Sequence, residues 1–487
     1  MEKFNFASAS FCFLIFLFIS IPFLITTFPP ITDLPQHMAQ VRLFGEAISG
    51  QNDVYRINWL TPYSLPYILI GIGWTSFGAL NSGRFTLIIL ATLFILFLLL
   101  LIVKRKRPLE GLAIATVFFF SHILYWGFLQ FLLGWIIFLL WFYFFTYNKN
   151  QSVTKAISFS FSISALLYFT HILWLIMAAI WSVTISLIKR QFKKNMPKFA
   201  GLIPFIFLGL IWYPSLASYG FKSETIWATT PFQRLSFAWL SDAALGGLRG
   251  TTEPVILLTI LAYLLLALWQ NRKKLSSDID LELLYTAFLF FFIALTLPDK
   301  HTNTIRFCQR WIPPAFVFFI ISLPEIRLEK NLRKVLSFSI FIFLIITTSF
   351  NWKAFEHLEL SGLKDSLKEI SPKTKLLGLS FTKESEFFKG RPFIQTFAYA
   401  QVLKGGELNF SFADFGPSLV IYKNKRRPPW TIGLEWFPEL VKRSDFPFFD
   451  YVLVNGDDKI HQIFQAETSL YPLTNQGRWR LYKVKNK

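Results

Sequence analysis

Long apolar runs alternate with short polar or basic segments along most of the chain. Runs of Phe, Leu and Ile, each about long enough to cross a bilayer, lie near residues 11–28, 85–103, 111–127, 130–146, 156–170, 172–188, 199–215, 254–270, 281–297, 312–324 and 335–350. This pattern predicts an α-helical polytopic membrane protein with about eleven transmembrane helices. The run 64–80 contains Pro66, Gly71, Gly73 and Gly78, so we expect it to lie in the interface or to re-enter rather than to cross.

The basic residues predict which side of the membrane each loop occupies. Four clusters follow the second, sixth, eighth and tenth runs, namely Lys104–Arg107, Lys189–Lys194, Arg272–Lys274 and Arg327–Lys334. Because positively charged loops stay on the cytoplasmic side, this spacing predicts a cytoplasmic N-terminus in the inner membrane. The first loop, about residues 29–84, then lies outside and begins with an amphipathic helical pattern over 34–48.

After Phe350 the sequence acquires the pattern of a soluble domain. Charges are interspersed, an amphipathic stretch covers 354–370, and short β-rich runs occur at 375–381, 418–422, 451–454 and 479–484. We therefore predict two domains: a transmembrane domain over 1–350 that includes the first loop, and a small α/β extracytoplasmic domain over 351–487. A segment of this size can bury a core of its own.

Composition supports the membrane assignment and excludes several function classes. Hydrophobic residues make up 53% of the 487 residues, which is too many for an ordinary soluble enzyme. The net charge of +20 is divided among short loops and forms no continuous basic face, so we expect the lipid bilayer and not nucleic acid as the partner. Cys12 and Cys308 have no disulfide-framework or metal-site spacing, and no phosphate-cradling glycine loop occurs.

The polar segment directly after the first span is the strongest candidate for chemistry. Asp33 and His37 are four residues apart, which places them on one face of the amphipathic helix. Ionisable groups at the membrane face are costly, and such a pair can act as a base or hold a divalent cation such as Mg²⁺ or Mn²⁺. The alternative is structural: Asp33 followed by Pro35 and Gln36 resembles a helix N-cap.

A second candidate is the loop before the tenth span, which carries four potentially cationic side chains on the side where such residues are depleted. Arg306 and Arg310 also precede a helix N-terminus, where the helix dipole disfavours positive charge. A lipid phosphate would offset both costs. The alternatives are snorkelling to the headgroups and pairing with Asp299. The four candidate phosphate-binding residues are Lys300, His301, Arg306 and Arg310.

Three further polar residues are candidates for lining a substrate cavity on the outer side. His171 lies at the turn between the fifth and sixth spans, His122 lies in the outer half of the third, and Gln130 follows a Gly-Phe-Leu turn. A single histidine among aromatic residues is more often a hydrogen-bonded structural residue than a ligand. Gln130 can donate to a sugar hydroxyl or tie two helix ends together.

These features together resemble the GT-C superfamily of integral membrane glycosyltransferases. The resemblance covers the whole chain in architecture: an inside N-terminus, a long first outer loop with an acidic residue near the first span, many further spans and an outer C-terminal domain. More closely, the chain resembles a bacterial group of membrane proteins related to that superfamily. The runs that carry this likeness are Thr32–Ala39, Gly127–Phe131, Tyr168–His171, and Arg306-Phe307 followed by Pro313-Pro314.

The resemblance implies a transferase that uses a polyprenyl-phosphate-linked sugar donor on the outer face of the membrane. Asp33 would be the general base for the hydroxyl of a glycan, lipid or protein acceptor, and His37 would orient it or help to hold an ion. Arg306, with Lys300, His301 or Arg310, would neutralise the departing phosphate. Two departures stand out: Gln130 replaces the expected Asn, and Asp33 is followed by Leu34 and not by a second acidic residue.

Two other functions are compatible with parts of this pattern. A lipid-linked glycan transporter, or a non-catalytic glycan- or lipid-binding membrane protein, would use the same cations to hold phosphate. Transporters often show inverted repeats, and we find none here. A membrane protease is disfavoured because no His-Glu-x-x-His motif occurs.

Overall fold

The apolar runs form helices at the predicted places in the computed structural model, which describes residues 6–147, 152–218, 224–424 and 427–485. The principal apolar helices are Phe6–Ile19, Ile21–Ile25, Ala79–Lys104, Glu110–Val117, Leu129–Tyr147, Val153–Thr170, Ile172–Ile188, Ile203–Trp212, Thr252–Asn271, Leu281–Thr296, Ile312–Ser322 and Lys330–Ala354. The third run is interrupted by a 3₁₀ turn at Phe118–Phe120 and resumes as the short helix His122–Tyr125. The prediction of a polytopic α-helical membrane protein is therefore confirmed.

Length and apolarity identify six of the described helices as candidate membrane spans. A seventh results if the helices Phe192–Ala200 and Ile203–Trp212, which are bent by 55° against each other, form one span. Four shorter apolar helices, Leu65–Phe77, Glu110–Tyr125, Ile172–Ile188 and Leu281–Thr296, have 10–17 residues. The number of about eleven crossings stays a prediction.

The chain divides into two compact units. The helical unit contains residues up to Pro22, Ile88–Leu124 and Phe128–Ser349, and the loop unit contains Phe23–Leu87, Tyr125–Gly127 and the residues from Phe350 onward. The first loop therefore packs with the C-terminal segment, whereas the sequence analysis assigned it to the transmembrane domain. The physical reason lies in buried glutamines of the loop, which bond to the C-terminal backbone.

Charged contacts in the helical unit connect the helix ends that carry the predicted basic clusters. Arg105 contacts Asp280 at 3.3 Å and also contacts Glu282. Arg107 donates to the carbonyl of Ser322 at 2.7 Å, at the end of another helix. Arg333 lies 3.1 Å from the carboxylate of Glu110, and it binds Glu325 as well. Lys189 also contacts Glu282, so these contacts bring residues of three basic clusters to one end of this unit.

The loop unit contains the predicted amphipathic helix and a small mixed sheet. The helix Leu34–Ile48, called here the first-loop helix, packs beside the helix Leu65–Phe77. The described strands of the chain are β1 (Tyr55–Ile57), β2 (Thr225–Ile226), β3 (Lys300–His301), β4 (Lys375–Ser380), β5 (Glu407–Leu408), β6 (Val420–Tyr422), β7 (Tyr451–Asn455), β8 (Leu470–Pro472) and β9 (Trp479–Val484). Of these, β2 and β3 belong to the helical unit.

The five-stranded sheet of the loop unit has the strand order β5-β4-β7-β9-β8. β4 is parallel to both β5 and β7, and β9 is antiparallel to β7 and β8. The predicted strands at 375–381, 451–454 and 479–484 are therefore present, with helices Leu363–Glu369, Tyr399–Lys404 and Asp458–Ala466 in the same segment. Its core includes Leu377, Leu379, Val452, Val454, Phe464 and Tyr482.

The fourth predicted strand pairs outside this sheet. β6 forms an antiparallel ladder with β1 from the first loop, in which Arg56 faces Ile421. The fully buried Gln40 extends this ladder, because its amide donates to the Val420 carbonyl at 3.1 Å and accepts from the Val420 N–H at 2.8 Å. Gln36 bonds similarly to Gln395 at 2.8 Å and to the N–H of Phe412 at 3.0 Å. Buried amides of this kind specify one register, since unpaired they would be costly.

Candidate functional site

Asp33 is the half-exposed carboxylate at the start of the first-loop helix, and its neighbours Thr32 and Leu34 are buried. Its backbone N–H donates to the carbonyl of Trp126 at 3.3 Å. Asp33 occupies the N-cap position, yet its side chain makes no capping hydrogen bond. The structural alternative of a helix cap therefore does not account for the carboxylate.

A glycine holds the Asp33 backbone against a neighbouring turn. Gly127 has φ +79°, a left-handed conformation that favours glycine. A Cβ at this position would lie 2.8 Å from the Asp33 nitrogen. The Gly127–Phe131 motif therefore contributes to the position of Asp33 through its first residue, by close approach of two backbones.

His37 lies one turn along the same helix and is buried. Its Nε2 lies 3.1 Å from the Gly127 carbonyl, which can only accept, so Nε2 carries the proton. Its Nδ1 then accepts the hydroxyl proton of Tyr67 at 3.2 Å. Burial lowers the pKa of His37 to about 4, so the ring is neutral at physiological pH. His37 thus ties the first-loop helix to Gly127.

These contacts do not fit the predicted metal site. A metal ligand needs a free ring nitrogen, and both nitrogens of His37 bond to protein groups. Among the described residues, no group of three or more His, Cys, Asp and Glu side chains has metal-binding geometry. We therefore derive no catalytic step through Mg²⁺ or Mn²⁺ at Asp33 and His37.

In the helical unit, Arg306 sits in a strained loop. Its φ of +49° is unusual for a residue with a side chain, and Thr302 in the same loop has φ +52°. The Arg306 guanidinium binds the carboxylate of Asp242 at 3.0 Å, and both side chains are partly exposed. Backbone strain of this kind persists where the surrounding structure enforces it, often at functional sites.

Arg310 is buried, one turn after Arg306. Its guanidinium carbon lies 3.7 Å from the centre of the Phe128 ring, and two of its nitrogens donate to the Ile305 carbonyl. Arg310 therefore closes the loop that carries Arg306. Its stacked position makes a supporting role more consistent with the geometry than direct contact with a mobile lipid.

The other two predicted phosphate-binding residues, Lys300 and His301, lie in a short two-stranded antiparallel sheet. Lys300 and His301 form β3, which is antiparallel to β2. Lys300 pairs with Glu224 at 2.5 Å, and the His301 Nδ1 lies 3.0 Å from the Thr225 hydroxyl. These contacts stabilise the loop and favour the structural interpretation for both residues.

Asp299, the predicted alternative partner of these cations, pairs elsewhere. It binds the fully buried Arg234 at 2.9 Å and accepts the N–H and hydroxyl of Thr229. Although burial alone would raise it, these bonds and the Arg234 charge lower the pKa of Asp299. Arg234 also donates to the Ala294 carbonyl at 2.9 Å, so this ion pair anchors the loop to a helix end.

The structure also places the three candidate cavity residues. His122 is fully buried within electrostatic range of Arg306 and Arg310, and His171 lies within that of Arg310. The His171 Nδ1 accepts the Leu173 N–H at 3.2 Å, so His171 caps the helix Ile172–Ile188. Gln130 is half-buried at the start of the helix Leu129–Tyr147.

Sequence reasoning missed three residues that the contacts make important: Tyr67, Asp242 and Arg234. Tyr67 is 30 positions from His37, and Asp242 is 64 positions from Arg306. No periodicity connects residues so far apart, so the sequence offered no signal for these pairs. Arg234 was detectable only as a cation in a predicted outer loop, where basic residues are unexpected.

The fold was compared with known proteins. No protein-family model matches the chain, and no curated protein is significantly similar to it. Two solved structures, both of ArnT from Cupriavidus metallidurans, are similar to this chain. The apo structure has a TM-score of 0.55 at 10% identity and covers 98% of each chain. The structure bound to undecaprenyl phosphate has a TM-score of 0.56 at 10% identity and covers 96% of this chain and 97% of that one.

Similarity over nearly the full length of both chains excludes a match limited to a few spans. At 10% identity this similarity establishes the architecture of the chain. The chain therefore shares the fold of ArnT over nearly its full length, in agreement with the architecture that the resemblance in its sequence implied.

Proposed function

We propose that this protein transfers a sugar from a polyprenyl-phosphate-linked donor to an acceptor hydroxyl on the outer face of the cytoplasmic membrane. The observation that carries the proposal is the full-length similarity to an ArnT structure bound to undecaprenyl phosphate. The partly exposed Asp33 and Arg306 supply the two kinds of group that such a reaction needs.

In the proposed reaction, Asp33 acts as general base. The acceptor hydroxyl loses its proton to the Asp33 carboxylate while its oxygen bonds to the anomeric carbon of the donor. The bond from that carbon to the phosphate oxygen breaks, and the electron pair leaves with the polyprenyl phosphate. Support comes from the partly exposed position of the Asp33 carboxylate at the start of the first-loop helix.

Arg306 is proposed to stabilise the charge that develops on the leaving phosphate. A guanidinium can form two parallel hydrogen bonds to phosphate oxygens, which a lysine cannot. In the structure, the Arg306 guanidinium donates a hydrogen bond to the carboxylate of Asp242. A phosphate would have to replace or share this carboxylate, so Asp242 acts as a placeholder that fixes the arginine before the donor arrives.

Transfer assays with membranes and polyprenyl-phosphate sugars test the proposal. Asp33→Asn keeps the side-chain size and removes the base, so we expect a loss of about 100-fold or more in turnover. Asp53→Asn is the matched control, because Asp53 lies in the same loop with a 95% exposed side chain. Full activity of the Asp33→Asn protein at normal expression would remove Asp33 from the mechanism.

Donor binding tests Arg306 separately. Arg306→Lys should weaken donor binding and turnover, and Arg306→Ala should nearly abolish both, because the paired hydrogen bonds and then the charge are lost. Arg443→Ala is the control for loss of an arginine, since that side chain is 82% exposed. Unchanged donor binding by a folded Arg306→Ala protein would favour snorkelling as the role of Arg306.

The alternative of a lipid-linked glycan transporter makes a different prediction. It requires movement of a lipid-linked sugar without cleavage of the sugar–phosphate bond. The full-length similarity to a glycosyltransferase fold favours transfer. Release of free polyprenyl phosphate in the assay distinguishes the two functions.

A further inference from the structure

The helical unit contains a polar cavity whose lining residues take no part in the proposed transfer reaction. The cavity has a volume of about 160 Å³. It is lined by residues at the ends of the helices Leu129–Tyr147, Val153–Thr170 and Ile172–Ile188 and by the helix Phe192–Ala200, called here the cavity helix. Its charged and amide-bearing lining residues are Lys189, Gln191, Lys194, Asn195, Lys198 and Glu282.

The lining has an excess of positive charge. Three lysines face one carboxylate, which gives a formal charge of +2, and the carboxylate of Glu282 already contacts both Arg105 and Lys189. Lys194 is exposed at the rim. An anion in the cavity would meet positive charge that the single carboxylate does not balance.

Part of the cationic lining is held rigidly. Lys198 is only 6% exposed, and its ammonium group donates to the Phe145 carbonyl at 2.7 Å and lies 4.7 Å from the Phe145 ring centre. Asn195 is buried and donates to the Ser186 hydroxyl at 2.9 Å. Fixed donors lose little entropy when a ligand binds, which favours a specific site over diffuse attraction.

Apolar side chains beside the cavity are exposed as expected at a lipid boundary. Phe192 and Met196 of the cavity helix are 39% and 52% exposed, and Ile188 at the end of the preceding helix is 62% exposed. The cavity helix is amphipathic and bends by 55° into the apolar helix Ile203–Trp212. This combination of Lys and apolar residues is typical of a helix lying in the membrane interface.

We propose that this cavity binds the phosphate group of an anionic phospholipid from the leaflet on this side. The lysines bind the phosphate, and the acyl chains lie along the exposed Phe192 and Ile188. These exposed apolar side chains favour a lipid over a soluble anion, because a soluble anion has no acyl chains to pack against them. The cavity belongs to the end of the helical unit where the basic clusters meet, so the positive-inside rule places the lipid in the cytoplasmic leaflet.

Titration of the detergent-purified full-length protein with phosphatidylglycerol, followed by native mass spectrometry, tests this site. Phosphatidylcholine is the zwitterionic reference lipid. A lysine near an anionic lipid contributes about 1 kcal/mol, so Lys194→Gln should lower phosphatidylglycerol affinity about fivefold. Lys198→Met should lower the affinity by at least the same factor. If this substitution of a buried lysine prevents folding, the exposed Lys194→Gln variant still tests the site.

Lys193→Gln is the matched control, because Lys193 is exposed beside Lys194 and does not line the cavity. We expect this variant to bind phosphatidylglycerol like the wild type. An equal loss of affinity in Lys193→Gln would indicate diffuse surface attraction and overturn the proposal. Displacement of phosphatidylglycerol by inorganic phosphate at the same concentration would assign the cavity to a soluble anion and also overturn it.

Discussion

At the scale of single residues, two hydrogen bonds determine what His37 can do. Because one ring nitrogen donates to a carbonyl and the other accepts from Tyr67, the imidazole is locked as one neutral tautomer. A locked neutral ring is a poor proton acceptor and a good structural support. Both ring nitrogens of His37 are thus used for contacts with Gly127 and Tyr67, whereas the sequence analysis also allowed an ion shared with Asp33.

This state of His37 predicts a pH dependence of stability. The unfolded pKa is near 6.5 and the folded pKa is about 4, so between these values only the unfolded state binds the proton. Stability should therefore fall as the pH is lowered from about 6.5 to 4, by on the order of 3 kcal/mol. Thermal unfolding in detergent at several pH values measures the effect.

The variant His37→Gln isolates the contribution of this residue, since other buried histidines also titrate. We expect a flatter pH profile for this variant than for the wild type. His357→Gln, at an exposed position, serves as the control. Equal slopes for His37→Gln and the wild type would mean that the ring is not held neutral by the fold.

At the level of residues, the sequence predicts what is local. The helix that carries His37 begins directly after Asp33, as the amphipathic pattern over 34–48 predicted. Lys300 and His301 were predicted as phosphate ligands, yet their contacts with Glu224 and Thr225 show loop partners that charge alone could not reveal. Which cation is free to act depends on tertiary contacts.

At the scale of elements, the turn before the helix Leu129–Tyr147 has a specific requirement for glycine. Gly127→Ala would force a side chain into a left-handed backbone and against the Asp33 nitrogen. We expect a loss of about 1 kcal/mol or more of stability and a large loss of transfer activity. Thermal unfolding and the transfer assay together check this prediction.

Gly45 offers a matched substitution in the first-loop helix. A Cβ at this position would meet no atom within 4 Å, and the residue lies inside a regular helix. Gly45→Ala should therefore stabilise the protein by about 0.5–1 kcal/mol and leave activity unchanged. Equal behaviour of the two alanine variants would contradict the close approach at Gly127.

The positions of the elements were predictable from the sequence to a large extent. Length and apolarity determine the helices. The strands at 451–454 and 479–484 follow from runs of β-branched and aromatic residues, and the strand at 375–381 follows from a short apolar run. The partner of β6 was not predictable, because β1 is a three-residue strand without a strong pattern. Pairing between distant segments is decided by burial that a single sequence does not display.

At the scale of the whole molecule, the loop unit joins two segments that are separated by most of the chain. In the described residues, β6 pairs with β1 and with no other strand. We therefore expect the isolated segment 351–487 to protect β4 and β7 from hydrogen exchange and to leave β6 unprotected. Full-length protein should protect all three strands. Protection of β6 in the isolated segment would show that the first loop is not needed for its order.

Membrane sidedness provides a second whole-molecule prediction. We expect Asn475→Cys and Asn52→Cys to react with an impermeant maleimide from outside, and Lys106→Cys to react only after permeabilisation. The native Cys12 and Cys308 are buried and give a low background. A cytoplasmic Asn475 would require a different number of crossings, with 64–80 as the segment that spans.

The bond between Gln40 and Val420 also has a consequence for biosynthesis. The two residues are 380 positions apart, and ribosomes add about 5–20 residues per second. On the order of 20 to 80 seconds therefore pass between synthesis of Gln40 and synthesis of the Val420 backbone to which its side-chain amide bonds. During this interval the loop presents unpaired polar groups and an open strand edge, so folding of this unit is completed only after synthesis, and truncated chains should be recognised by quality-control proteases.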